Sequence, residues 1–244
     1  MKNRIILLFG LMIAMTGYSQ DSSLVRDVET WTTIGVEKKV LGKKVTLSLD
    51  QAFRFDDNSS SLDQFYTDLG ANYKISKGFK VGFGYRILQS GSIKNGFDKQ
   101  HRLNLDMMYK QKLDRLVLAY RLRYTNKNVR GITVANGDFN KHKFRLRVKA
   151  AYNIKNWKLD PYVSGELFYS KGYETVNFVE EITEGYAVSA FQKYRITIGT
   201  KYKTGKVGTL GMFYRIERQF ASYPFAYNAT TWNIFGLNYT FKLK

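Results

Sequence analysis

No cysteine occurs anywhere in the chain. That excludes a disulfide framework, a cysteine nucleophile and a lipid anchor built on a cysteine after a leader. Proline is almost as scarce, at two residues, Pro161 and Pro224, so long strands can run without the ladder breaks that proline imposes. Histidine is limited to His101 and His142, and acids number 20 against 39 lysines and arginines. Long apolar runs are also missing, with one exception at the N-terminus. "MKNRIILLFGLMIAMTGYSQ" has a basic start at Lys2 and Arg4, an apolar stretch from Ile5 to Met15, and small residues Gly17 and Ser19. This is the layout of a secretory signal peptide, residues 1–19, removed after Ser19. The stretch is roughly half the ~20 residues that a spanning helix requires. No transmembrane helix is expected in the mature chain, residues 20–244.

The formal charge of +19, or +17 without Lys2 and Arg4, would suggest nucleic acid as a partner in a cytoplasmic protein. Here the bases fall on alternate strand positions behind an export signal, so no nucleic-acid partner is expected.

What is present is alternation. "NKHKFRLRVKAAYN" (140–153) puts a base at Lys141, Lys143, Arg145, Arg147 and Lys149, with Phe144, Leu146, Val148, Ala150 and Tyr152 on the other parity. A period of two is the strand period, because successive side chains point to opposite faces of a sheet. The same pattern recurs in "VTLSLDQAFRF" (45–55), "FYTDLGANYKI" (65–75), "FKVGFGYRI" (79–87), "HRLNLDMMYK" (101–110) and "LVLAYRLRYTN" (116–126). Further strands read at about 27–38, 158–170, 189–203, 207–218 and 230–243. Short turns at 41–44, 76–79, 112–115, 154–157 and 203–206 alternate with longer polar links at 56–62, 89–98, 127–139, 171–187 and 219–229. An up-and-down antiparallel meander closed into one β-barrel predicts such a rhythm. Eleven strands are read, but single-chain bacterial barrels are even-numbered, so ten or twelve is the expectation. Residues 20–30 are the place for an additional short strand.

Alternation does not say which face is outward, since a soluble lipocalin-like barrel has the same two faces with the apolar one inside. Four features favour a transmembrane barrel. Strands of about 10–15 residues exceed the soluble average of ~5–6 and meet the ~9–11 that a membrane strand needs. Short turns and long links segregate to opposite rims. Aromatics make up 16% of the chain and sit near strand ends, as an interfacial girdle would. The polar face mixes opposite charges with glycine, as a crowded interior requires. Leu118 and Leu146 are then expected to face lipid, and Arg121 and Arg145 a lumen.

The strands bearing "QAFRF", "GYRI", "HRLNLD", "AYRLRY" and "FRLRV", followed by "DPYVSGELFY", resemble a family of outer-membrane β-barrel proteins from Bacteroidota, domain of unknown function 2490. A leader ending in Ser19-Gln20 fits the same phylum. The resemblance implies a Gram-negative outer-membrane barrel and brings no activity with it. One departure is the C-terminus, "NYTFKLK", where three residues follow Phe241 in place of a terminal aromatic.

The inward parity collects the acids Asp50, Asp68, Asp106, Glu166 and Glu217 and the bases Arg54, Arg86, Arg102, Arg121, Arg123, Arg145, Arg147, Lys149, Arg195 and Arg215. Their structural reading is a charge network filling a narrow barrel. Their functional reading is a passage of positive field that prefers anionic solutes, which the two-to-one excess of bases favours. The expectation is a monomeric porin-like scaffold or narrow pore, its partners membrane lipid, lipopolysaccharide and small anionic solutes, with no cofactor. A membrane-embedded lipid-modifying enzyme is the alternative. His101 and His142 have outward parity just after long links, but no Ser-His-Asp spacing accompanies them, so no catalytic residue is assigned. A soluble periplasmic ligand-binding barrel is the second alternative. Acids at Asp56, Asp57 and Asp63 and at Glu174, Glu180, Glu181 and Glu184 fit no defined calcium loop and assign no metal site.

Overall fold

The computed structural model describes residues 26–94, 96–129, 141–177, 183–205, 207–220 and 230–243. The expected signal peptide, residues 1–19, and the segment 20–25 lie outside the described residues. Within them the chain is all β: β1 (Arg26–Val40), β2 (Val45–Asp56), β3 (Ser61–Lys74), β4 (Phe79–Ser92), β5 (Gly96–Leu113), β6 (Leu116–Val129), β7 (Lys141–Tyr152), β8 (Leu159–Asn177), β9 (Thr183–Thr204), β10 (Gly208–Gln219) and β11 (Thr231–Leu243). Each strand pairs with its sequence neighbours in antiparallel register, and β1 closes the barrel against β11. The even count expected from bacterial barrels is therefore corrected: the described residues hold eleven strands. An odd meander leaves its first and last strands running the same way, so the seam must be parallel. It is, from Arg26 opposite Thr231 to Lys38 opposite Leu243. Closure satisfies both edge strands, which would otherwise expose a row of unpaired amides and carbonyls.

The strands are longer than the sequence pattern implied, and this removes two expected links. Residues 56–62 form a four-residue turn, 57–60, in which Asp57, Asn58 and Ser59 all adopt positive φ. The Asn58 amide donates to Asp27 Oδ1 at 2.9 Å, which ties this turn to β1. Likewise 89–98 is mostly strand, since β4 runs to Ser92 and β5 starts at Gly96. The strict alternation of short and long connections therefore fails at these two places. Of the remaining long links, 130–140, 178–182 and 221–229 lie outside the described residues.

Side chains divide as the period of two demands. On one parity Leu146 is 49% exposed, Leu105 53% and Phe83 53%. On the other, the side chains of Arg145, Arg123 and Glu166 are 18%, 16% and 5% exposed. The apolar face is outside and the charged face inside. A strand of 12 residues such as β7 extends about 40 Å, which at a tilt of 35–45° spans about 28–33 Å.

Two bulges adjust the parity. Between β2 and β3, Arg54 pairs with Gln64 while Phe55 pairs with Leu62. Between β8 and β9, Phe168 pairs with Lys193 while Tyr169 pairs with Phe191. The extra residue, Gln192, lets Phe191 stay on the exterior and Lys193 turn inward.

Candidate anion-binding lumen

The interior is organised in cross-strand rows. One row is built from rings and glycines: Trp31 on β1 lies opposite Gly236 on β11, which lies opposite Phe213 on β10, then Gly199 on β9, then Tyr162 on β8. A Cβ at Gly236 would stand 2.0 Å from Phe213 Cζ, and one at Gly199 would stand 2.7 Å from Tyr162 Oη. Phe213 and Tyr162 thus each lie over a neighbouring strand's glycine and fill the space that its missing side chain leaves.

Above this row sits a tier of arginines around a cavity of about 380 Å³. Its lining includes Arg54, Arg86, Arg102, Arg121, Arg123, Arg145, Arg147, Arg195 and Arg215, with Lys143 and Lys193, but of the carboxylates among the described residues only Glu166. The register explains this concentration, because it sets Arg86 opposite Arg102, Arg121 opposite Arg147 and Arg123 opposite Arg145.

The acids are bound into this tier unequally. Asp106 takes a two-pronged contact, with Arg123 Nε donating to Oδ1 at 2.7 Å and Nη2 to Oδ2 at 2.6 Å. Asp68 accepts from Arg86 Nε at 3.1 Å and also from Nη2. Glu217, 5% exposed, accepts from both Lys193 and Arg195. Glu166 is different. Arg195 Nη1, Arg121 Nη2, Arg145 Nη1 and Arg147 Nε stand 3.5, 3.6, 3.6 and 3.9 Å from its oxygens, so four guanidiniums share one carboxylate at loose ion-pair range. Arg54, Arg102 and Arg215 have no carboxylate within ion-pair range among the described residues. Arg215 Nε donates instead to Thr197 Oγ1 at 2.9 Å.

Aromatic rings take up part of the uncompensated charge. The Arg54 guanidinium lies 3.8 Å from the Trp31 ring centroid, Arg86 3.8 Å from Tyr66, and Arg195 4.6 Å from Phe168. Neutral polar groups complete the layer, with Thr125 Oγ1 donating to the buried Asn104 Oδ1 at 2.7 Å.

Of the residues picked out by parity, Lys149 and Asp50 lie away from this cavity. Lys149 Nζ sits 3.2 Å from the centroid of Tyr162, below the arginine tier. Asp50 pairs across the sheet with Asp68 and Gly35, and its Oδ1 fills the place where a Gly35 Cβ would be. The other thirteen either line the cavity or pair with a residue that does. Parity also contained Tyr66, Phe168, Lys193 and Phe213, which share faces with Asp68, Glu166, Arg195 and Arg215. A tally of charges misses the three rings, while Lys193, two residues before Arg195 in unbroken register, is legible by the same parity. Trp31 and the side chain of Gln64 are further members that the alternation did not single out.

On the exterior, each histidine is held by a tyrosine. Tyr85 Oη and His101 Nδ1 are 2.5 Å apart, and Tyr124 Oη and His142 Nδ1 are 2.7 Å apart, with the rings stacked in both pairs. No group of three metal-binding side chains occurs among the described residues. Of the acidic loop candidates, Glu180 and Glu181 and the side chains of Glu174 and Glu184 lie outside the described residues. Asp57 Oδ2 faces Ser60 Oγ at 3.3 Å.

The family model for proteins of unknown function DUF2490 matches residues 28–227. The chain belongs to the DUF2490 family. Its matched region runs from the upper part of β1 past the end of β10, so the family pattern covers ten of the eleven strands and reaches the residues of the arginine tier. No curated protein matches the sequence.

Proposed function

We propose that this DUF2490 protein is a monomeric outer-membrane β-barrel of a Gram-negative bacterium, exported by its leader, whose lumen forms a narrow passage that favours anions. The observation that carries the reading is the composition of the cavity wall: among the described residues, nine arginines and two lysines face about 380 Å³ of space, with Glu166 as the one lining acid. A network whose purpose was to hold the barrel together would match its charges, because an uncompensated buried charge costs several kcal/mol. A surplus of cations instead produces a positive field, concentrated by the low-dielectric wall, which raises the local concentration of anions. The outward leucines and phenylalanines support a lipid environment, and the strand lengths suit an apolar band about 25 Å tall.

The soluble ligand-binding reading needs an apolar interior, and this interior is charged. The lipid-modifying reading needs an activated nucleophile beside His101 or His142, and the bond that each imidazole makes at Nδ1 is to a tyrosine. Lipid and lipopolysaccharide remain the partners of the outer surface. The test is the reversal potential of protein-containing planar bilayers under a potassium chloride gradient. The expected sign is that of chloride selectivity. A folded, inserted protein that carries no current leaves the scaffold reading in place and removes the passage.

A further inference from the structure

Two pairs of arginines on β2 to β6 stand in contrast. Arg123 and Arg86 are neutralised by Asp106 and Asp68. Arg54 and Arg102 are positioned without being neutralised. Arg54 Nη1 donates to the amide oxygen of Gln64 at 3.1 Å, and Arg102 Nη2 to the amide oxygen of Gln100 at 3.3 Å. A neutral amide fixes the direction of a guanidinium while leaving its charge intact. The Nε donors of both arginines are also buried and donate to no group among the described residues. Two buried, oriented and uncompensated guanidiniums are costly to a fold, and the Trp31 and Tyr66 rings offset only part of that cost.

From this pair we infer that the β2–β5 wall of the lumen holds a binding site for a phosphate-class oxyanion, a free phosphate or the phosphoryl group of a small soluble ester. The inference rests on the reading of the lumen as an anion-favouring interior and goes further by naming the ligand class. Arg54 on β2 and Arg102 on β5 stand three strands apart in an eleven-strand barrel. Their donors therefore approach the shared cavity from directions about 100° apart around the wall. Planar carboxylates are met best by one guanidinium in a coplanar fork. Donors converging from well-separated directions suit a tetrahedral group, which offers oxygens out of any one plane. Between the two, Arg86 is matched by Asp68, so the two positive charges that Arg54 and Arg102 bring to the cavity are what a phosphate dianion would balance.

The test is isothermal titration of the full-length protein, folded in detergent micelles, with inorganic phosphate and separately with citrate. Phosphate is expected to bind more tightly than citrate. Arg54→Gln and Arg102→Gln are each expected to weaken phosphate binding by about ten-fold or more, whereas Arg115→Gln in the β5–β6 turn leaves it unchanged. Folding of every variant is checked by its shift between unheated and boiled samples on a gel. Arg102→Lys, which keeps the charge and loses the fork, should lie between wild type and Arg102→Gln. Citrate binding as tight as phosphate, equal phosphate binding by wild type and Arg102→Gln, or no heat of binding at millimolar phosphate would each overturn the site. Binding without bilayer current keeps the site and removes the passage; chloride-selective current without binding does the reverse.

Discussion

The ring of Phe213 occupies the place of the Gly236 side chain: a Cβ there would lie 2.0 Å from Phe213 Cζ. The two residues face each other across β10 and β11, next to the parallel seam. A seam made of one odd pairing is where the barrel most needs side-chain support, and the row from Trp31 to Tyr162 supplies it. Gly236→Ala is expected to push the ring aside and destabilise the barrel by about 1–3 kcal/mol. In a Phe213→Ala background the same change should cost almost nothing. Urea midpoints of the four proteins measure this coupling directly.

Glu166 is the second stability test. Four guanidiniums surround it within 3.9 Å, and its side chain is 5% exposed. Glu166→Gln keeps the shape and removes the charge, so its loss is expected to cost about 3–5 kcal/mol, as when one partner of a buried ionic group is deleted. The same variant should shift the bilayer reversal potential further toward chloride. Unchanged stability together with unchanged selectivity would mean that Glu166 does not serve as the counterion of the tier.

On the outer face, Leu105 is 53% exposed near the middle of β5. If the barrel spans a bilayer as proposed, Leu105→Arg sets a cation against acyl chains and is expected to cost about 2–4 kcal/mol of folding free energy in lipid vesicles. Asn104→Asp, one residue away but turned inward toward the cations, should cost less. Equal losses would contradict the assignment of faces.

The exterior histidines give a prediction about chemistry. His101→Ala and His142→Ala are expected to leave the fatty-acyl composition of host vesicles unchanged relative to wild type. A lipid turnover present in wild type and lost in either variant would favour the enzymatic reading.

Most of this fold was readable from alternation alone, because a half-apolar strand writes its period of two directly into the chain. The faces of β7 are a case: Arg145 and Arg147 turn inward and Leu146 outward, as "KFRLRVK" implies. Three things were not readable. The parity of strand count is a global property, and no local pattern distinguishes a parallel seam from a missing twelfth strand. The ends of strands lost their alternation in polar residues, so "DDNSSSLD" looked like a loop although residues 57–60 make a tight turn. Finally, which arginine meets which acid depends on register and bulges. Arg54 and Arg102 read like Arg86 and Arg123 in sequence, yet only the latter two acquire carboxylates.

The absence of cysteine allows the central claim to be tested one position at a time. Single cysteines at Leu146, Leu105, Thr125 and Lys149, spin-labelled in lipid vesicles, report whether each site meets acyl chains or water. The account predicts that labels at Leu146 and Leu105 relax with oxygen dissolved in the bilayer and ignore a water-soluble nickel complex, while those at Thr125 and Lys149 do the opposite. Water contact at Leu146 and Leu105 with lipid contact at Thr125 and Lys149 would contradict it.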